Sequence, residues 1–203
     1  MAHIKLQLVT EEQWPVIRLR NPSWELMRKD LQRIPEISPL IRKDEEIENG
    51  EYDSDFFNGD GSERTELPNW FNLWYHHMGP MMDVVLPELK VLYKFEPDFK
   101  FCNPADWNIW CQSYSENGTH SGHTHGFGQI SACQYIKFIP GEHEATTFYH
   151  LPPNPFTGNA ESITPDVEEG DVLFFPSTYM HASGVNTSQH QRHIVAWNMG
   201  VYR

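Results

Sequence analysis

DVLFFPSTYMHASGVNTSQHQRHIVAWNM (171–199) is the stretch on which the fold turns. It holds an apolar run, DVLFFPSTYM, ending directly before His181; a polar connection, GVNTSQHQ; and a second apolar run, opened by Arg192. Short apolar runs bounded by turn formers read as strands. The first run therefore reads as a core strand that fixes His181 at its end. The polar connection reads as a hairpin that starts Arg192 on the strand beside it. Alternation then puts Arg192, Ile194, Ala196 and Asn198 on one face and His193, Val195, Trp197 and Met199 on the other.

Upstream, the same texture begins near residue 99. WNIWCQSY (107–114), ISACQYIKF (130–138) and ATTFYHL (145–151) are further short β-like runs. GEHE, PPNPFTGN and TPDVEEG separate runs in this part of the chain and are rich in turn formers. Many short strands at this spacing predict an all-β sandwich or barrel, not a βαβ unit. Residues 68–94 are the best helical stretch, with Trp70, Leu73, Trp74, His77 and Met78 at three- and four-residue steps. Gly79-Pro80 interrupts that pattern and predicts a second helix over 81–94, the pair packing against a sheet. Residues 44–66 are acidic and turn-rich and read as an exposed loop or mobile excursion. Residues 1–45 carry scattered prolines and only short pieces of structure. The expected organisation is a core over 101–203, with 1–100 an extension and buttressing helices of the same domain.

The chain has 203 residues, enough for one domain with a real core. Its formal charge of −13 argues against nucleic acid or an anionic membrane as a partner. It has no apolar run long enough to span a bilayer and no signal-like N-terminus. Its three cysteines, odd in number and irregularly spaced, predict a reducing compartment, by default the cytoplasm.

Eleven histidines are a generous supply. In HTH, His123 and His125 stand two apart, which on an extended segment puts both imidazoles on one face, about 7 Å apart at the base. Two such rings can converge on one ion at about 2.0–2.1 Å per nitrogen. His181 is the best third ligand, and three protein ligands leave the open positions used by non-haem iron oxygenases. Surface histidine pairs are common, however, and His120 or Glu144 could instead complete a site. His76 and His77 read as packing and surface; His3, His143, His150 and His190 read as loop or surface residues. Arg192, if turned into a barrel, needs an anionic partner. Its planar fork suits a carboxylate, and a dicarboxylate cofactor would supply one. A solvent-exposed arginine at a strand edge is the plain alternative.

HTHGFGQISACQYIKF (123–138), VEEGDVLFFPSTYMHASGVN (167–186) and RHIVAWNM (192–199) together resemble the iron(II)/2-oxoglutarate oxygenases, in particular a bacterial and phage branch related to prolyl hydroxylases. The order and spacing of all three blocks agree over roughly 105–200. The resemblance implies a mainly β chain with flanking helices around a double-stranded β-helix, or jelly-roll, core. It implies His123 and His181 as iron ligands, with His125 where a carboxylate is usual. It implies Arg192 at the distal carboxylate of 2-oxoglutarate and Tyr135 as a donor to the same group. Ser131 and Cys133 share a face with Tyr135 and would line the cofactor pocket. Tyr114 stands either at the cofactor's other end or in the core. Ile194 replaces the serine of the family's R-x-S pattern.

The expected activity is that of an iron(II)- and 2-oxoglutarate-dependent oxygenase, with molecular oxygen as co-substrate, hydroxylating a peptidyl side chain or a small molecule. Trp107, Trp110 and Phe127 could wall the substrate or belong to the core. Two other readings remain at this point: a three-histidine cupin-like dioxygenase in which Arg192 holds the substrate's own carboxylate, and a metal-binding jelly-roll without turnover.

Overall fold

The computed structural model describes residues 5–9, 15–44, 51–58, 60, 62–96, 98–150, 156–159 and 161–202. His3, part of the acidic stretch (45–50) and the start of PPNPFTGN lie outside the described residues.

In chain order the strands are β1 (Lys5–Leu8), β2 (Ile17–Arg20), β3 (Ile41–Asp44), β4 (Glu51–Ser54), β5 (Lys100–Phe101), β6 (Asn108–Tyr114) and β7 (His120–His123). They continue as β8 (Gln129–Lys137), β9 (Thr146–Tyr149), β10 (Ser162–Ile163), β11 (Val172–Pro176), β12 (Met180–Ser183) and β13 (Arg192–Tyr202). Helices α1 (Trp24–Leu31), α2 (Ile34–Ile37) and α3 (Phe71–Leu92) complete the described elements apart from one 3-10 turn, Pro104–Asp106. The large sheet runs β1-β2-β11-β8-β13-β6-β4-β3, with β5 on β13, and the small sheet runs β10-β9-β12-β7. This is the jelly-roll arrangement of two antiparallel sheets, and the pairings between named strands are antiparallel.

The alternation along β13 explains the layering. Val195, Trp197 and Met199 join a core with α1 and α3, while Ile194 and Ala196 join a second core toward the small sheet and Phe148. Trp197 meets Trp74 of α3 at 4.9 Å between ring centres, and the Trp74 indole N–H donates to Gln134 Oε1 at 2.9 Å. Fully buried side chains of this size contribute on the order of 1.5–3 kcal/mol each. The large sheet is thus plastered by helices on one face and faces a cavity on the other.

The structure corrects four expectations. The stretch 68–94 holds one continuous helix, α3, that runs through Pro80 and Pro87, not two. A helical proline costs about 3 kcal/mol, and the burial of Met78, Met81, Met82 and Val85 on the sheet offsets it. The acidic excursion is not all loop: β4 pairs with β3 and β6, and Asp55 is buried. DVLFFPSTYM is not one strand, because β11 ends at Pro176, a turn follows, and β12 begins in the other sheet. Arg192 therefore does not lie on the neighbour of the His181 strand; β13 sits between β8 and β6, in the sheet opposite.

Before β11, Gly170 adopts φ +92°, and a Cβ there would fall 2.4 Å from the Trp24 ring, so the turn requires glycine. The buried pair Arg18–Asp171, with Nε donating at 2.7 Å, ties β2 to the start of β11. Among the described residues no helix is long and apolar enough to cross a membrane.

Candidate metal and cofactor site

The small sheet carries two of the three histidines in register. His123 ends β7 and pairs directly with His181 on β12. His125 lies just beyond the strand, where its backbone N–H donates to the Ser177 carbonyl at 2.7 Å. Ring centres are 4.3 Å apart for His123–His181 and 5.1 Å for His123–His125 and His125–His181. One ligand nitrogen from each lies within 4.8 Å of the others, a grouping that fits a metal ion. His120 and Glu144, the possible alternatives, fall outside that group.

The ring hydrogen bonds prepare two of these ligands. His123 Nδ1 meets the Ser121 carbonyl and His181 Nδ1 the Tyr179 carbonyl, each at 2.8 Å. A carbonyl only accepts, so each Nδ1 carries the proton and each Nε2 keeps its lone pair, as a metal ligand requires. Burial lowers all three pKa values: His125 falls to about 4, His181 well below the usual range, and His123 in the same direction. Repulsion from His123 adds to the fall at His125 and His181. The imidazoles are therefore neutral near pH 7, the state that coordinates a metal.

Arg192 opens β13 opposite Tyr114 and is 1% exposed. Its guanidinium donates to the Glu144 carbonyl, to Ser183 Oγ and, at 3.1 Å, to the Gly184 carbonyl. Nε is buried without a partner, and among the described residues no carboxylate side chain pairs with the cation. A buried guanidinium in this state is short of an anion. Ser183 stands two residues from His181 on β12, a separation of about 6.8 Å along a strand. A five-carbon dicarboxylate can span from a metal on the histidines to Arg192. The donor set and the orphaned cation thus fit iron and 2-oxoglutarate together.

The cavity, about 420 Å³ counted to its open mouth, lies between the sheets. The three histidines, Tyr114, Ser131 and Cys133 line it. Tyr114 donates its hydroxyl to Gln112 Oε1 at 2.9 Å. Ser131 Oγ reaches Asn198 Oδ1 at 2.7 Å and Ser177 Oγ at 3.0 Å. The Tyr135 hydroxyl is held by Thr146, accepting from its backbone N–H at 2.9 Å and donating to its Oγ1 at 3.0 Å. Tyr135 accordingly meets the cavity through Thr146, which lines it. Trp110 lines the cavity, Trp107 is core beside Trp74, and Phe127 is 91% exposed. His143, read as a loop or surface residue, lies in the connection between β8 and β9 but is buried: its Nδ1 accepts from the Ile139 N–H, and its Nε2 meets the His190 carbonyl.

Gln112, Thr146 and Ser183 escaped the sequence reading as site residues. Gln112 was accessible by alternation, since Trp110, Gln112 and Tyr114 share a face of β6. Ser183 stood in MHASG, but only the meeting of the two sheets brings it to Arg192.

Residues 108–198 match the family described as "Putative 2OG-Fe(II) oxygenase". No curated protein matches the chain in sequence. Similar solved structures include a Pseudomonas putida prolyl-4-hydroxylase (14% identity, 97% of this chain and 91% of that one, TM-score 0.53). A Trichoplax adhaerens prolyl hydroxylase, solved with a hypoxia-inducible-factor peptide fragment, aligns at 8% identity over 91% of this chain and 83% of that one, with TM-score 0.59. The epimerase SnoN from nogalamycin biosynthesis, in complex with Fe3+, alpha ketoglutarate and nogalamycin RO, aligns at 13% identity over 91% of this chain and 78% of that one, with TM-score 0.56. At these identities the structures speak for the fold, while the sequence match covers the segment bearing the histidines and the arginine. Over residues 108–198, the chain is thus similar in sequence to the 2OG-Fe(II) oxygenases, and over most of its length it shares the fold of solved members.

Proposed function

We propose that this chain is an oxygenase that hydroxylates a peptidyl side chain, holding iron(II) on His123, His125 and His181 and the distal carboxylate of 2-oxoglutarate on Arg192. The observation that carries the assignment is the buried guanidinium without a carboxylate partner among the described residues, anchored two residues along β12 from His181. The peptidyl substrate is favoured because the Trichoplax neighbour is a prolyl hydroxylase bound to a peptide. The small-molecule complex of SnoN makes a small molecule the alternative. The compartment proposed is the cytoplasm, supported by three free cysteines.

Bound together, iron and 2-oxoglutarate supply the oxidation, coupling oxidative decarboxylation of the keto acid by molecular oxygen to oxidation of the second substrate. The chain's own residues bind, orient and exclude water. Ser121 and Tyr179 hold the His123 and His181 rings with Nε2 free. Ser183 and the Glu144 and Gly184 carbonyls fix the guanidinium before any ligand arrives, which limits the ordering cost of binding. Phe175, Ala182, Ile194 and Ala196 give the cavity apolar walls that keep water from the reacting end.

The all-histidine ligand group favours one further reading. It carries one negative charge fewer than a two-histidine, one-carboxylate triad, as a three-histidine dioxygenase independent of 2-oxoglutarate would. Anaerobic titration of the iron(II)-loaded protein with 2-oxoglutarate separates the two. A visible metal-to-ligand charge-transfer band that saturates with 2-oxoglutarate is expected. Its absence, with iron bound, would transfer Arg192 to the carboxylate of a different substrate.

A further inference from the structure

Two aromatic chains run from one short segment of the N-terminal half to two of the three histidines. Tyr52, on β4, stacks on His120 at 4.4 Å, and His120 stacks on His123 at 3.9 Å with 18° between the planes. Four residues on, Phe56 meets Trp110 edge-on at 5.2 Å, and Trp110 meets His125 at 5.8 Å. The third histidine needs no such chain, since Phe175 of β11 packs against His181 at 4.7 Å.

The segment is itself pinned between its two aromatic residues. Asp55 accepts from the Cys111 N–H at 2.8 Å, the Trp70 indole N–H at 2.6 Å and Ser38 Oγ at 2.5 Å. Arg64 donates its Nε to the Asp55 carbonyl at 2.9 Å and its Nη2 to the Ile109 carbonyl at 2.6 Å. Tyr52 and Phe56 thus present their rings from a fixed backbone, and His120 and Trp110 pass that constraint inward. Neither ring of the HTH pair sits mid-strand: His123 is the last residue of β7 and His125 lies beyond it. They are the ligands the sheet alone holds least.

We propose that Tyr52 and Phe56 are positioning residues for the metal centre, bracing His123 through His120 and His125 through Trp110. The proposal rests on the three-histidine metal site put forward above. His120 is in this account a stacking plate and not a ligand. The 51–56 segment makes the N-terminal half part of the active site.

Cobalt(II) is the probe, read by binding titration and by the electronic absorption of the loaded protein, which reports ligand geometry. Tyr52→Leu and Phe56→Leu keep apolar volume without a ring. Each is expected to weaken cobalt binding by about 10- to 100-fold, the range found when partners that orient metal ligands are removed, and to alter the absorption band. Tyr52→Phe restores both. His120→Phe, which keeps the plate and removes its nitrogens, retains cobalt. Met27→Ala, a cavity in the helical layer, lowers stability and leaves the band unchanged. Wild-type affinity and band in both leucine variants would overturn the brace alone. Loss of cobalt in His120→Phe with Tyr52→Phe intact would make His120 a ligand and overturn it too. A wild-type protein that takes no cobalt would overturn the metal-site reading, and the brace with it.

Discussion

The guanidinium carbon of Arg192 lies 4.3 Å from the centre of the Tyr114 ring, its direct partner across the β6–β13 register. The contact seats the guanidinium over the ring, and Ser183 and two carbonyls accept its hydrogen bonds. Replacing Arg192 with alanine is expected to weaken 2-oxoglutarate binding by about 2–5 kcal/mol. Arg192→Lys recovers only part of this, because an ammonium neither stacks nor forks. Calorimetric titration of the metal-loaded variants checks both, with metal affinity unchanged. Normal 2-oxoglutarate binding by Arg192→Ala would assign the arginine to another carboxylate.

His125 is where the chain departs furthest from a two-histidine, one-carboxylate set. With His125→Ala, metal content after loading and gel filtration should fall sharply. His125→Asp should still load, because a carboxylate also binds first-row metals and returns the missing negative charge. Full occupancy in His125→Ala, by elemental analysis, would reduce His125 to a bystander.

A pH effect follows from His193, 7% exposed on β13 with Nδ1 unpartnered. Burial, then the charges of Lys137 and His143, push its pKa from 6.5 down to about 4. The unfolded chain therefore binds this proton more tightly. The His193 contribution to stability is whole above pH 6.5 and is lost as pH falls from 6.5 toward 4. At about 1.4 kcal/mol per pKa unit the loss is on the order of 3 kcal/mol. Urea unfolding of His193→Phe between pH 7 and pH 4 should show a flatter decline than wild type. An identical slope would show that His193 is not a source of the acid sensitivity.

Asp55 is the polar pin of the helical layer. Asp55→Ala strands the Cys111 N–H and the Trp70 indole N–H in the interior. A loss of about 3–5 kcal/mol is expected, the cost of removing one partner from a buried charged network. Asp55→Asn keeps an acceptor and should lose less. Equal midpoints for Asp55→Ala and wild type in chemical denaturation would contradict this role.

The legible part of the molecule was its local chemistry. Alternation along RHIVAWNM divides the residues between the two cores that the structure shows, because β13 is central and each face has its own layer. The HTH pair and His181 do come together, but with His125 beyond the end of β7 and His181 on a strand separate from the apolar run of β11. What escaped depends on where distant segments meet. The break between β11 and β12 hides in one apolar run, since either sheet can bury it. Acidity around Tyr52 and Phe56 masks a segment whose few aromatic residues do the packing. Pro80 reads as a breaker because the burial that outweighs it comes from the sheet, residues away in sequence.

Ser183 ends β12 of the small sheet and Gly184 follows it, Arg192 opens β13 of the large sheet, and the histidines belong to the small sheet and the loop beside it. A dicarboxylate that joined the metal to Arg192 would act as a removable rivet between the two layers. Cofactor occupancy and cohesion of the sandwich then become a single property. Binding only to the assembled state stabilises it by about 2.7 kcal/mol when the free ligand is at a hundred times its dissociation constant. The cellular supply of the keto acid would set how long the protein survives as well as how fast it works.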